Sequence, residues 1–218
     1  MRNANLSDEK YYQILHIITR FLRKNIYLIL FTIGFFTLFS GITEWNFQYI
    51  DTDNYMRAIR LHNLILNPSF FEQIIHQTNY PFGEINHWTR PMDILWLFCT
   101  TPFLWLSDIK EAIFFGGIIL NPILGILCIF TLAYGLRRHF NIYLVLLGCL
   151  LLLSSNDISI LKFNIPDHHS LMLLLGIYSF SLTLCWLKKR QNRYIRLLGF
   201  SLAKEYICSS VGVKDIET

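Results

Sequence analysis

The chain has 218 residues, of which 53% are hydrophobic and 16% are aromatic. Its mean hydropathy of +0.39 is too high for an ordinary soluble domain and is typical of an integral membrane protein. The formal charge of +4 is spread unevenly along the chain, and no nucleic-acid-binding motif accompanies it, so no nucleic-acid partner is expected.

The sequence predicts an all-α protein that crosses the membrane about four times. Residues 1–24 are polar and basic, and we expect them to be cytoplasmic. The apolar stretch that follows is about as long as a bilayer core requires and longer than the apolar part of a cleavable signal. The four predicted spans are 25–43, 112–134, 141–155 and 171–187.

The apolar stretch 94–106 decides the number of spans. It has only 13 residues and contains Pro102, so it is short for a span. If it does not cross, 14 lysine and arginine residues are cytoplasmic and 5 lie outside, whereas with a fifth crossing the numbers become 7 and 12. Because basic residues are retained in the cytoplasm, four spans are favoured, with 94–106 in the outer leaflet.

This topology defines the remaining segments. A large, partly helical outer loop covers 44–111, a second outer loop covers 156–170, and a cytoplasmic tail covers 191–218. An apolar pattern starts at 197–203 and then gives way to polar residues, so we expect the tail to be the end of a truncated product. Its basic residues are expected to touch anionic membrane lipids.

The first outer loop contains the first candidate residues. Asp51 and Asp53 follow the first span, and either can cap a helix that runs to about residue 65. Asp53 and Arg57 are four residues apart and can form an ion pair on that helix. One interpretation is therefore a capped, salt-bridged surface helix, and the other is an acidic pair that binds a metal.

Later in the same loop, the stretch NYPFGEINHWTRPMD places His87, Arg90 and Asp93 around a second proline. Tryptophan and arginine favour the headgroup level of a membrane, so an interfacial anchor is one interpretation. The other is a site for the phosphate of a substrate. The candidate phosphate-binding residues of the loop are Arg57, Arg60, His87 and Arg90.

The second outer loop ends in Pro166-Asp167-His168-His169, immediately before the last predicted span. An aspartate at this position is a common helix N-cap and needs no further function. Adjacent histidines point about 100° apart on a helix, so we do not expect them to bind one ion together in the manner of histidines four residues apart. One histidine is expected to serve the site and the other to orient it.

The predicted topology places Asp51, Asp53, Arg90 and Asp167 on one side of the membrane, all near span ends. Carboxylates that meet at one depth make a site for a hard divalent cation, Mg²⁺ or Mn²⁺. Such a cation can neutralise a diphosphate, which suits a lipid-linked phosphate substrate. The candidate metal ligands are Asp51, Asp53, Asp167, His168 and His169.

Three segments in this order resemble a known family: DTDNYMRAIRLHNLIL, NYPFGEINHWTRPMDILW and PDHHSLMLLLG. They are similar to the N-terminal half of the GT-C-fold membrane glycosyltransferases, whose characterised relatives include the oligosaccharyltransferase catalytic subunits. The similarity is closer to a group of bacterial membrane proteins that carry the same three motifs. It covers residues 25–190 and implies a multi-pass protein of a bacterial inner membrane.

The resemblance implies a role for each acidic segment. Asp51, with Asp53 as the alternate, matches the metal-binding aspartate of the family's first outer loop. Asp167, His168 and His169 match its second acidic motif, which archaeal members write D-H-H. The family transfers a sugar or oligosaccharide from a polyprenyl (di)phosphate on the non-cytoplasmic face, with a divalent metal and an aspartate as base. The implied catalytic residues are Asp51, Asp53 and Asp167.

The chain also departs from the family pattern. Family members have more spans and a further outer loop with an essential glutamate, which are not found after residue 190. We therefore expect a fragment of such an enzyme, or one half of an enzyme whose second half is separately encoded. The alternative is a non-enzymatic membrane protein, either an assembly partner or a vestigial product. A transporter is disfavoured because the predicted spans contain no ionisable residue.

Overall fold

The computed structural model describes residues 2–40, 42, 48–67, 74, 75, 77, 81–85 and 90–209. In these residues the chain is almost entirely helical, apart from a short antiparallel pairing of β1 (Ile74–Ile75) with β2 (Glu84–Ile85). The helices are α1 (Arg2–Leu38), α2 (Thr52–Leu66), α3 (Pro91–Thr100), α4 (Ile109–Leu136), α5 (Ile142–Ser154), α6 (His168–Lys189) and α7 (Asn192–Ser209).

Among the described residues, three helical segments are long and apolar enough to cross a membrane: Tyr11–Leu38 within α1, all of α4 and all of α6. They overlap three of the four predicted spans, and the predicted class, an all-α membrane protein, agrees with them. The remaining predicted span, 141–155, corresponds to α5. That helix has 13 residues and rises about 20 Å, less than the roughly 30 Å of a bilayer core.

The stretch 94–106 does not form one continuous helix. Helix α3 ends at Thr100, and after Pro102 the chain makes a 3₁₀ turn over Phe103–Trp105. The ten residues of α3 rise only about 15 Å, so this helix by itself is too short to cross a bilayer.

Helix α4 is the centre of the bundle, and α1 packs against its C-terminal half in the antiparallel direction. Leu38 lies against Gly125, whereas Tyr27, three turns earlier in α1, lies against Phe130 with the ring centroids 5.4 Å apart. Helix α5 joins the same core, where the thiol of Cys149 faces the carbonyl oxygen of Ile129. A continuous apolar core therefore fills the space between α1, α4 and α5.

Helix α6 runs parallel to α4. Near its start, Ser170 Oγ donates to Asn121 Oδ1 at 2.9 Å, and further along, Ser181 Oγ donates to the carbonyl oxygen of Thr131 at 2.8 Å. Both helices advance by about three turns between these two contacts. Helix α6 therefore begins beside the middle of α4, and the C-terminal ends of the two helices lie at the same end of the bundle.

Helix α7 folds back along α6. Arg190 ends α6 with φ 52°, in the left-handed region, and the chain then reverses. Ser179 Oγ donates to Ser201 Oγ at 3.0 Å, and Tyr194 is buried in a small cluster with Leu182. Residues 192–209, which the sequence analysis treated as a tail, thus form a helix packed on α6, and residues 210–218 lie outside the described part of the chain.

The N-terminal half of α4 packs against α3 at very short range. Trp96 Nε1 donates to the carbonyl oxygen of Ile113 at 2.8 Å, and Gly116 lies directly against Thr100. A Cβ atom added at Gly116 would lie 2.8 Å from both the backbone N and the Cα of Thr100. Small residues allow this approach of two backbones, as they do between helices in membranes.

The close approach at Gly116 predicts that alanine destabilises the protein there but not at Gly199. Gly116→Ala should lower the free energy of unfolding by about 1–3 kcal/mol, because the new methyl group meets backbone atoms that cannot rotate away. Gly199→Ala is the control, since its Cβ would meet nothing within 4 Å. It should be neutral or stabilising by up to about 1 kcal/mol. Thermal unfolding in detergent measures both, and equal effects would contradict the packing described here.

Candidate functional site

Asp167, His168 and His169 form a compact group at the start of α6. Asp167 is the N-cap of the helix, and its Oδ1 accepts from the backbone N–H of His168 at 2.6 Å. The same oxygen lies 2.5 Å from His168 Nδ1, and Oδ2 lies 3.7 Å from His169 Nε2. The capping role expected from the sequence is therefore present, and the carboxylate faces both histidines as well.

The two imidazole rings lie close together. Their centroids are 4.2 Å apart, and the angle between the ring planes is 32°. Among the described residues, Asp167, His168 and His169 each offer one ligand atom within 4.8 Å of the others, which makes them a group able to hold a metal ion. Adjacent histidines start about 100° apart on a helix, but here the side chains turn so that one nitrogen of each faces Asp167.

The histidines also affect the ionisation of Asp167. Burial by itself would raise the pKa of this carboxyl. The hydrogen bond with His168 and the charges of His168 and His169 outweigh burial, so the pKa of Asp167 is lower than usual. The side chain is therefore a carboxylate at neutral pH, the form that binds a cation.

Asn121 holds the segment before this group in place. It is fully buried in the middle of α4, and its Nδ2 donates to the carbonyl oxygen of Ile160 at 2.7 Å and also to that of Ile165. Its Oδ1 accepts from Ser170 Oγ. One amide thus joins α4 to both sides of Asp167, a role that the sequence analysis missed. An asparagine inside an otherwise apolar helix, next to Pro122, was the available signal.

Asp51 and Asp53 lie near the second acidic segment but are not members of the Asp167 group. Asp51 caps α2, where its Oδ1 accepts from the N–H of Asp53 at 3.4 Å, and both side chains are exposed. Just before the cap, the N–H of Ile50 donates to the carbonyl oxygen of Asn164 at 3.4 Å. The backbone preceding α2 is therefore bonded to the loop that leads to Asp167.

The predicted phosphate-binding arginines meet at Asp93. Arg57 Nη1 lies 3.2 Å from Oδ1 of this aspartate, Arg60 Nε lies 3.1 Å from Oδ2, and Arg90 Nη1 lies 3.3 Å from Oδ2. We call these four residues the arginine cluster. Arg57 thus pairs with a residue of α3, whereas the sequence had suggested a partner on its own helix. His87 lies outside the described residues.

The arginine cluster is buried. Asp93 is fully inaccessible, and the side chains of Arg57 and Arg60 are only 3% and 4% exposed. Burial lowers the pKa of Arg60 to about 10, an effect opposed by Asp93 and reinforced by Arg90 and Arg57. Arg60 nevertheless remains protonated at neutral pH. The ion pairs therefore join α2 to α3 through charges that have lost most of their contact with water.

Comparison with known proteins adds no relative: no family model, no curated protein and no solved structure matches the chain. The resemblance to the GT-C-fold glycosyltransferases, drawn from three motifs, stays a prediction.

Replacing Asn121 should loosen the support of the Asp167 group. Asn121→Leu removes the donor of the part-buried carbonyl oxygens of Ile160 and Ile165, and the cost should be about 1–3 kcal/mol in the free energy of unfolding. Asn25→Leu is the control, because within the described part of the chain its side chain bonds only to Phe21 of its own helix. It should change stability by less than about 0.5 kcal/mol. Thermal unfolding of both variants tests this, and a stable Asn121→Leu protein would refute the role assigned to the amide.

Removing the charge of Asp93 should be among the most damaging substitutions in the chain. Asp93→Asn leaves two buried guanidiniums and the partly buried Arg90 without their shared carboxylate, and breaking a buried ion pair costs about 3–5 kcal/mol. Asp53→Asn makes the same chemical change on the exposed part of α2 and should cost less than about 0.5 kcal/mol. Expression level and thermal unfolding compare the two, and similar values would show that the arginines do not depend on Asp93.

Proposed function

We propose that this chain is the N-terminal part of a GT-C-like membrane glycosyltransferase, acting on a sugar or oligosaccharide linked to a polyprenyl (di)phosphate. The proposal depends chiefly on one observation, the meeting of Asp167, His168 and His169 at the start of α6. These residues come from one of the three segments that resemble the family. A second such segment contains Asp51. The residue before it, Ile50, donates a backbone hydrogen bond to Asn164, which lies in the loop that leads to Asp167.

In this proposal the Asp167 group holds a divalent cation. One carboxylate and two imidazoles suit Mn²⁺ better than Mg²⁺, because imidazole nitrogen is a softer ligand than oxygen. The cation would supply positive charge to the phosphate that leaves the sugar. Asp51, or Asp53 as the alternate, contributes a further carboxylate from the adjacent segment, and one of the aspartates acts as the general base.

The arginine cluster and its surroundings supply the phosphate-binding part. Three guanidiniums surround the carboxylate of Asp93, and two of them, Arg57 and Arg60, come from α2, the helix that Asp51 caps. Asn54, one turn before Arg57, is buried, and its Nδ2 has no hydrogen-bond partner among the described residues. A buried donor of this kind gains most from a ligand oxygen. We assign Arg90, the most exposed of the three arginines, together with His87 to the phosphate groups of the donor, and Arg57 and Arg60 support Arg90 through Asp93.

The proposed topology has four spans and a cytoplasmic N-terminus in a bacterium, and α7 runs back along α6 towards the side of Asp167. Helix α5 crosses together with the 3₁₀ turn that follows it, Asn156–Leu161. Asn121, beside the start of α6, lies fifteen residues before the end of α4, about 22 Å along the axis. A hydrocarbon core of about 30 Å would then place the Asp167 group just below the outer headgroups. A lipid-linked donor reaches that depth more readily than a soluble sugar nucleotide.

Metal binding by the purified chain tests the proposal. Asp167→Asn should weaken Mn²⁺ binding at least about tenfold, because asparagine caps a helix as well as aspartate does but carries no charge. Asp51→Asn should also weaken it if the two segments converge on one ion. Titration of Mn²⁺ followed by electron paramagnetic resonance gives the dissociation constants.

A matched variant separates capping from metal binding. Asp108 caps α4 through a bond to the N–H of Glu111, and no histidine lies next to it in the sequence. Asp108→Asn should therefore leave Mn²⁺ binding unchanged. If wild type, Asp167→Asn and Asp108→Asn bind Mn²⁺ equally, Asp167 is a helix cap only and the metal-assisted mechanism is excluded.

A further inference from the structure

A polar cavity lies between α1 and α4 at the end of the bundle opposite to the Asp167 group. Its volume is about 300 Å³, and Tyr27, Tyr134, Arg137 and Arg138 line it. We call it the arginine–tyrosine pocket. Nothing in the proposed transfer reaction uses it, since the start of α6 is about 22 Å away along α4.

The tyrosines hold the two guanidiniums in place. Arg137 lies over the ring of Tyr27, 5.3 Å from its centroid, and Arg138 lies 4.6 Å from the centroid of Tyr134. Arg138 Nη2 also donates to the Tyr134 hydroxyl at 2.6 Å. A guanidinium has five N–H donors, so both arginines keep donors for an oxyanion after these contacts.

Among the residues that the structure describes, no carboxylate neutralises these arginines. Within the described ranges, no ion pair involves Arg137 or Arg138, whereas each arginine of the arginine cluster is paired with Asp93. Further positive charge lies nearby, because Arg23 is one turn before Tyr27 on α1 and lines a neighbouring cavity of about 500 Å³ with Arg20. The pocket therefore favours an anion.

The position of the pocket indicates which anion. Both of its helices include segments able to cross a membrane, and the pocket lies where the apolar part of each meets basic residues. Beyond Tyr27, α1 exposes Leu28, Phe31 and Phe35. We propose that the arginine–tyrosine pocket binds the phosphate of an anionic phospholipid whose acyl chains lie along this exposed face of α1. Basic pockets between membrane helices bind such headgroups in other proteins.

Lipid retention by the full chain tests this site. Purified protein is exposed to equal amounts of phosphatidylglycerol and phosphatidylcholine in detergent, and native mass spectrometry counts the lipids that stay bound. Wild type should retain phosphatidylglycerol preferentially. The double variant Arg137→Gln/Arg138→Gln should bind it at least about tenfold more weakly, because it loses two charge-assisted contacts.

Two further variants make the result specific. Lys188→Gln/Lys189→Gln removes the same charge from the end of α6 at the same end of the bundle and should retain the lipid as wild type does. Tyr134→Leu keeps both arginines but removes the group that holds Arg138, and it should weaken binding about threefold. Equal losses in the arginine and lysine pairs would overturn the proposal, because binding would then depend on net charge alone.

The source of the phosphate is tested separately. Inorganic phosphate at millimolar concentration should not raise the unfolding temperature of the wild type, whereas phosphatidylglycerol should raise it. Equal stabilisation by the two would also overturn the proposal, because the pocket would then be a site for a soluble anion.

Discussion

The hydrogen bonds of the Asn121 side chain determine where α6 begins, and the candidate site depends on that position. A single, fully buried amide donates to two loop carbonyl groups and accepts from the hydroxyl of Ser170. Without these partners the buried amide would be left unsatisfied, which costs more than a hydrogen bond contributes. Asn121 therefore specifies the depth of Asp167 within the bundle, as buried polar groups specify register elsewhere.

Helix α4 serves two environments along its length. Its C-terminal half packs by apolar contacts against α1 and α5, where the helices expose aromatic and aliphatic side chains on their outer faces. Its N-terminal half supports α2 and α3, which are joined by the buried ion pairs of Asp93. The C-terminal half is suited to lipid, and the N-terminal half, although apolar itself, supports the charged residues of α2 and α3 close to the segment with Asp51. The proposed chemistry is confined to the N-terminal half of α4 and the elements that pack on it.

Local rules were enough to predict some of these features and not others. The caps at Asp51 and Asp167 follow from short-range hydrogen bonding, and the all-α membrane class follows from apolar runs of the required length. The shared partner of the arginines did not follow, because Asp93 reaches Arg57 only when α2 and α3 pack together. The same applies to Asn121, whose partners lie about forty residues further along the chain. The sequence analysis did not predict α7, because its charged residues give the segment a polar composition although one face of the helix is buried against α6.

The parallel arrangement of α4 and α6 has an electrostatic consequence. Peptide dipoles add along a helix, so each helix has about half a positive charge at its N-terminus and half a negative charge at its C-terminus. In most helical hairpins, neighbouring dipoles oppose and cancel. Here the two add, and the negative ends meet where Arg137, Arg138, Lys188 and Lys189 gather. The positive ends point towards the side of Asp167, which favours negative charge on that side of the protein.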